Sequence, residues 1–169
     1  MNLRNRIGVI AGLLAAAFFT LVSSGAGSAG PRHCRAADFT LSQGPTASAL
    51  GHFRQTVRLR NHTNTKCQMS GWARVLLLNA NGRALHSQEK RIHRDVFGTS
   101  PKPNVVVKPG GGASFAIDTT APSTSCPTSK AIAVTPPSRH GWQRLVIPVQ
   151  GCKHFSVLPV QPGNKAIHP

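Results

Sequence analysis

Phe53-Arg54-Gln55-Thr56-Val57-Arg58-Leu59-Arg60 decides the fold class. On an extended chain Phe53, Val57 and Leu59 share one face, and Arg54, Thr56, Arg58 and Arg60 share the other. A period of two with one wet face marks an antiparallel strand, because successive side chains point to opposite sides of the pleat. The expectation is that Val57 and Leu59 are buried while Arg54, Arg58 and Arg60 stand in solvent as a basic stripe.

Short apolar segments punctuated by turn residues continue in both directions, which is an all-β signal. Upstream, Phe39 and Leu41 alternate with polar neighbours until Gly44-Pro45, which ends that run. Downstream, residues 61–65 form a polar loop before Cys67, and a third strand spans about 72–79. Val75 and Leu77 point to the core there. Leu76 and Leu78 make the other face apolar too, so it needs a cover, for which the 86–104 segment is the candidate. Asn81-Gly82 is a hairpin turn signal, returning through 83–87 as a short strand. Residues 88–104 read as a long loop with a helical turn near 89–94. A strand fragment at 105–107 precedes the turn Pro109-Gly110-Gly111-Gly112, and Phe115 and Ile117 then alternate with Ser114, Ala116 and Asp118. Segments at 131–135, 144–149 and 154–160 follow. The sum is an all-β fold, an immunoglobulin-like antiparallel β-sandwich of about 7–9 strands. Phe53, Val75, Leu77, Phe115, Ile117, Ile132, Val134, Phe155 and Val157 are its expected core.

Composition narrows the class further. The 169 residues contain 20 Lys+Arg against 4 Asp+Glu, no Tyr, 16 Gly and 13 Pro, and 40% are hydrophobic. Such a chain is unsuited to a helical bundle, a coiled coil, an acidic calcium binder or an enzyme built on clustered carboxylates. At the N-terminus Arg4 and Arg6 precede an apolar stretch at 7–22 and the small residues 23–30, the layout of a secretory signal peptide. The apolar run is shorter than the roughly 20 residues a spanning helix needs. We read 1–29 as the signal peptide, 30–160 as one β-sandwich domain and 161–169 as a tail. Cleavage after Ala29 is favoured, with Ala26 the alternative. Cys34 follows Pro31-Arg32-His33 rather than a lipoprotein box. The expected location is extracellular or in the cell envelope, with no transmembrane segment in the mature chain.

Cys34, Cys67, Cys126 and Cys152 are even in number, widely spaced and without a C-x-x-C pair, which suits disulfides in an oxidising compartment. Strand direction narrows the pairing. Cys34 precedes the first strand and Cys67 follows the second, so they meet if those strands are antiparallel neighbours. The same argument about the turn at 136–141 pairs Cys126 with Cys152. A Greek-key crossing of the first strand would join Cys34 to Cys152 instead.

The run Gly51-His52, then Val57-Arg58-Leu59-Arg60-Asn61-His62-Thr63, then Cys67-Gln68-Met69-Ser70-Gly71-Trp72, resembles the domain of unknown function 4232, as does Cys126…Val134-Thr135-Pro136-Pro137…Cys152…Val157-Leu158-Pro159. Met69 stands where that family commonly has Leu, and Trp72 where it has Tyr or Phe. The resemblance covers about residues 34–160. It implies a β-sandwich at the envelope or outside the cell, in a family of mainly secreted actinobacterial proteins, and brings no catalytic residues.

No catalytic pattern emerges from the residues themselves. Gly112-Ala113-Ser114-Phe115-Ala116 lacks the second glycine of a nucleophile elbow, and the glycine run lacks the Lys-Ser/Thr of a phosphate loop. The carboxylates Asp38, Glu89, Asp95 and Asp118 offer no facing pair for glycoside hydrolysis. Glu89 and Asp95 lie among Lys90, Arg91 and Arg94, where salt bridges are the expected role. His86, Glu89 and His93 would share a face only on a helix that nothing in 86–93 supports, so no metal site and no cofactor are expected. The basic excess is the physical signal. The formal charge of +16 becomes +14 when Arg4 and Arg6 leave with the signal peptide. Candidate anion-binding residues are Arg54, Arg58 and Arg60, with Arg83, Lys90, Arg91 and Arg94 as a second group. Export and the lack of interleaved aromatics argue against nucleic acid. The reading is a secreted, non-enzymatic, basic β-sandwich that binds an anionic envelope polymer or lipid surface. The alternatives are a structural envelope protein without a ligand, and a metal-dependent or hydrolytic enzyme.

Overall fold

The stretch 52–61 is a strand along its whole length and belongs to the largest sheet of the fold. The computed structural model describes residues 30–120, 126, 128–137, 141–149 and 154–163. The signal peptide at 1–29, Cys152 and residues 164–169 of the expected tail lie outside them. In chain order the strands are β1 (Arg32–His33), β2 (Phe39–Ala49), β3 (His52–Asn61), β4 (Cys67–Ser70), β5 (Arg74–Leu78), β6 (Gln88–Arg91), β7 (Arg94–Asp95), β8 (Gly98–Thr99), β9 (Asn104–Val107), β10 (Gly112–Thr120), β11 (Ala131–Thr135), β12 (Gln143–Leu145), β13 (His154–Val157) and β14 (Gln161–Pro162).

The largest sheet runs β2-β3-β10-β13-β6, with β14 also on β10. The other layer consists of β1-β4-β9 and β12-β11-β5, and β7 with β8 forms a small hairpin. One core joins the layers: Phe39, Val57, Leu59, Phe115, Ile117 and Val157 from the large sheet meet Met69, Val75, Leu77, Val105, Ile132 and Val134 from the smaller two. The fold is an all-β sandwich dominated by antiparallel pairing. Among the described residues only β1 with β4 and β6 with β13 run parallel.

Val57 and Leu59 are buried as the alternation requires, but Phe53 on the same face is 43% exposed. The ten-residue β3 is twice as long as β5 and β11 of the other layer, and at its start Phe53 lines a cavity with Thr128, Pro148 and Val149 instead of joining the closed core. Gly44-Pro45 does not end β2. The pairing with β3 resumes beyond a bulge between Gln43 and Thr46, and a proline is tolerated there because β2 is an edge strand. Gly44 is the residue that fits the bulge: a Cβ there would lie 2.9 Å from the Thr56 side chain.

The Asn81-Gly82 turn forms, with Gly82 at φ 74°, but its return is a single bridge from Leu78 to Ala84 rather than a strand. The 88–104 segment corrects the sequence reading twice. It contains β6, β7 and β8 instead of a loop with a helical turn. It also covers the outside of β3 and β10, not the Leu76 face. Ile92 packs on Ala116 and Leu158, and Asp95 bonds Arg54. Leu76 remains 54% exposed. Strand lengths at the C-terminal end are shorter than expected, at Gln143–Leu145 and His154–Val157. Gln161 is no tail residue, since it is buried and its side-chain amide donates to the Pro101 carbonyl at 2.6 Å.

Cys34 and Cys67 are bridged, with Cα atoms 4.9 Å apart. Phe39 at the start of β2 pairs with Asn61 at the end of β3, which brings together the two chain ends that carry these cysteines. Cys126 is also disulfide-bonded. Its expected partner Cys152 lies outside the described residues.

Candidate anion-binding site

The four carboxylates are all taken up inside the protein. Asp38 accepts two hydrogen bonds from the Arg32 guanidinium at 2.7 and 2.9 Å, and a third from the Arg35 backbone N–H at 2.6 Å. The Arg32 bonds hold its carboxyl below the usual carboxylate range against the opposing effect of burial. Asp95 accepts from Arg54 Nε at 2.9 Å, from Arg54 Nη2 and from the Phe97 N–H. Asp118 is 5% exposed and sits 3.1 Å from His52 Nδ1. Its burial pushes the carboxyl up, outweighing the hydrogen bond from His52. Glu89 accepts the Val75 N–H at 2.6 Å and Arg91 Nε at 3.2 Å. Negative charge is thereby withdrawn from the surface, and the exterior is left cationic.

The expected basic stripe does not exist as one unit. Arg54 is 3% exposed, stacked 4.6 Å from the Phe97 ring and paired with Asp95, so it is a structural residue rather than an anion ligand. The β7–β8 hairpin closes over it, and burying a guanidinium without a carboxylate would be too costly. Arg58 is half-buried and Arg60 exposed on the outer face of β3. Arg83, Lys90, Arg91 and Arg94 are exposed. Arg94 Nε donates to Thr99 Oγ1 across the small hairpin.

Of the second group, Arg91 is brought to a cavity with two cations that sequence reasoning missed. Arg74, Arg91 and Lys102 line a space of about 200 Å³ beside Trp72 and Pro136. Arg74 and Arg91 also line an adjoining cleft of about 520 Å³ with Ser87 and Glu89. Arg74 opens β5 on the side opposite Val75 and Leu77. Arg91 is placed by the parallel pairing of β6 on β13, opposite Val157. Lys102 lies 5.3 Å from the Trp72 ring centre, a cation–π contact. Trp72 is fixed in turn by its Nε1 bond to the Ile92 carbonyl at 3.0 Å and by the His93 ring 4.7 Å away. Arg74 was visible only as the polar member of an alternating strand, and Lys102 only as one residue between two prolines.

His86, Glu89 and His93 are not brought together as ligands. Glu89 is bonded as above, and His93 Nδ1 lies 3.3 Å from the Ser100 carbonyl. Among the described residues no three of His, Cys, Asp and Glu are grouped to hold a metal ion. His52 and Asp118 form a dyad, but among the described residues no hydroxyl or thiol bonds the other His52 nitrogen. Among the described residues no helix is long and apolar enough to cross a membrane.

No curated protein and no solved structure matches the chain. The model of the family described as a domain of unknown function, DUF4232, matches residues 34–162. That match runs from the first bridged cysteine to the last strand, most of the 169 residues, and the chain belongs to this family.

Proposed function

We propose that this protein is a secreted, non-enzymatic binding domain whose partner is an anionic component of the cell envelope. The observation that carries the reading is the internal use of all four carboxylates: two are bonded by Arg54 and His52 and two by the surface arginines Arg32 and Arg91, which leaves the other surface Lys and Arg among the described residues without an acidic partner. A field of one sign concentrates polyanions and speeds their encounter with the protein. The cavity of Arg74, Arg91 and Lys102 supplies a place where such charge converges. The Cys34–Cys67 bridge suits an oxidising compartment, in keeping with the signal-like residues at the N-terminus. The non-enzymatic part rests on the absence, among the described residues, of a nucleophile on the His52 dyad and of a facing carboxylate pair.

The test is titration with soluble poly(glycerol phosphate) at rising ionic strength. Affinity should fall steeply from about 50 to 500 mM salt, as the screening length shortens. Arg74→Gln with Lys102→Gln should weaken binding more than a pair of substitutions elsewhere. No binding at the lowest salt would overturn the reading.

A further inference from the structure

The outward face of the β5-β11-β12 sheet combines exposed apolar side chains with cations in a fixed register. Ala133 of β11 lies between Leu76 of β5 and Arg144 of β12. One row along, Thr135 pairs with Arg74, and Ala131 pairs with Leu78 on the other side. Ile132, Val134, Val75 and Leu77 alternate with these residues and point into the core. Trp142 and Val146 flank β12 by one residue each and continue the outward set of Arg144. They are 65% and 70% exposed. With Leu76 at 54%, three large apolar side chains stand in solvent on one face. Leu76 and Trp142 line an open groove of about 370 Å³ that runs from Arg74 past Leu78 and Ala84.

From this arrangement we propose that the β5-β11-β12 face docks on an anionic lipid bilayer, with Leu76, Trp142 and Val146 entering the interface and Arg74 and Arg144 meeting lipid phosphates. The proposal deepens the reading above, on which it rests, by naming the partner and the face. Charge complementarity selects the occupant. Among the described residues Arg74 and Arg144 form no ion pair, and Glu89, the carboxylate that shares a cleft with Arg74, has both oxygens bonded. A second copy would bring the same cations and, among the described residues, no free carboxylate to face them. A bilayer supplies phosphates beside hydrocarbon, which matches cations alternating with apolar groups at this spacing. Tryptophan favours that boundary because its ring is apolar and its N–H polar, and each cation near an anionic surface adds to the attraction.

The experiment uses the folded mature protein with vesicles of phosphatidylcholine, alone or with about one-third phosphatidylglycerol, whose negative surface potential is the variable. Binding should require the anionic lipid. Tryptophan emission should shift to the blue and be quenched by lipids brominated on the acyl chain, and Trp142→Phe should abolish most of both signals, leaving Trp72 unchanged. Arg74→Gln and Arg144→Gln should each reduce partition about fivefold, and Trp142→Ala about tenfold. Lys66→Gln with Lys108→Gln removes two exposed charges elsewhere and serves as the comparison. If that pair weakens vesicle binding as much as the Arg74 and Arg144 changes, or if Trp142 emission does not respond, the docking face is refuted while the anionic-partner reading survives. Binding of poly(glycerol phosphate) without any vesicle binding has the same consequence. Capture of an acidic protein by this face in competition with vesicles also counts against the bilayer. Failure of both probes at low salt removes the anionic-partner reading itself.

Discussion

Arg54 of β3 and Asp95 of β7 form an ion pair whose side chains are 3% and 1% exposed, 41 residues apart in the chain. The pair clamps the β7–β8 hairpin onto the outside of the large sheet. Arg54→Ala should destabilise the protein by about 3–5 kcal/mol, because Asp95 is left charged and buried. Replacing both partners, as Arg54→Met with Asp95→Asn, should cost clearly less than the sum of the single changes. Urea unfolding of the four species measures the coupling. Additive losses would show that the two side chains do not act as a pair.

The Cys34–Cys67 bridge spans a sequence separation of 33. In the chain-entropy account a loop of that length stabilises by about 3–4 kcal/mol. Cys34→Ala with Cys67→Ala should therefore lower the denaturant midpoint with little change in the folded circular dichroism spectrum. An unchanged midpoint would contradict the bridge's stabilising role.

Asp38 and Asp118 should answer pH in opposite senses. The Arg32 bonds depress the Asp38 carboxyl, so its contribution is present above the unfolded value and is lost as pH falls through the folded one. Asp38→Asn should cost about 1–2 kcal/mol at neutral pH, through lost bonds to Arg32 and the Arg35 N–H, and the gap should close in acid. Burial raises the Asp118 carboxyl, so its contribution is present below the unfolded value and lost as pH rises through the folded one. Asp118→Asn should therefore be better tolerated at neutral pH than Asp38→Asn. Melting temperatures across pH 2–7 compare the two; parallel profiles would refute the assignment.

Gly44 faces Thr56 across the β2 bulge with no room for a side chain. Gly44→Ala should destabilise by about 1–3 kcal/mol, since backbone must shift to relieve the overlap. Gly30, which meets nothing within 4 Å, provides the contrast: Gly30→Ala should be close to neutral in the same thermal melts. Equal effects at the two sites would mean that the bulge is not tightly packed.

The alternation in 53–60 was enough to place a strand and to bury Val57 and Leu59, because the pleat is a local property and period two survives in any sheet. Strand order at the N-terminal end was legible for a related reason. A short turn between β2 and β3 forces antiparallel neighbours, and this brought Cys34 to Cys67. The fate of Arg54 was not legible. Whether an outward-facing cation meets water or a carboxylate depends on what a distant segment does, and the 88–99 residues carry no alternation of their own. They become strands because the edge of β13 offers unpaired backbone groups and the Arg54–Asp95 pair holds the hairpin down. The same dependence on long-range register hid Arg74 and Lys102, which acquire a shared cavity only when β5, β6 and the 101–103 segment are brought side by side. Composition and periodicity therefore determined the fold class and the sign of the surface. Tertiary packing decided which charges cancel inside and which remain to meet a partner, because ion pairs are made between positions that local sequence does not connect.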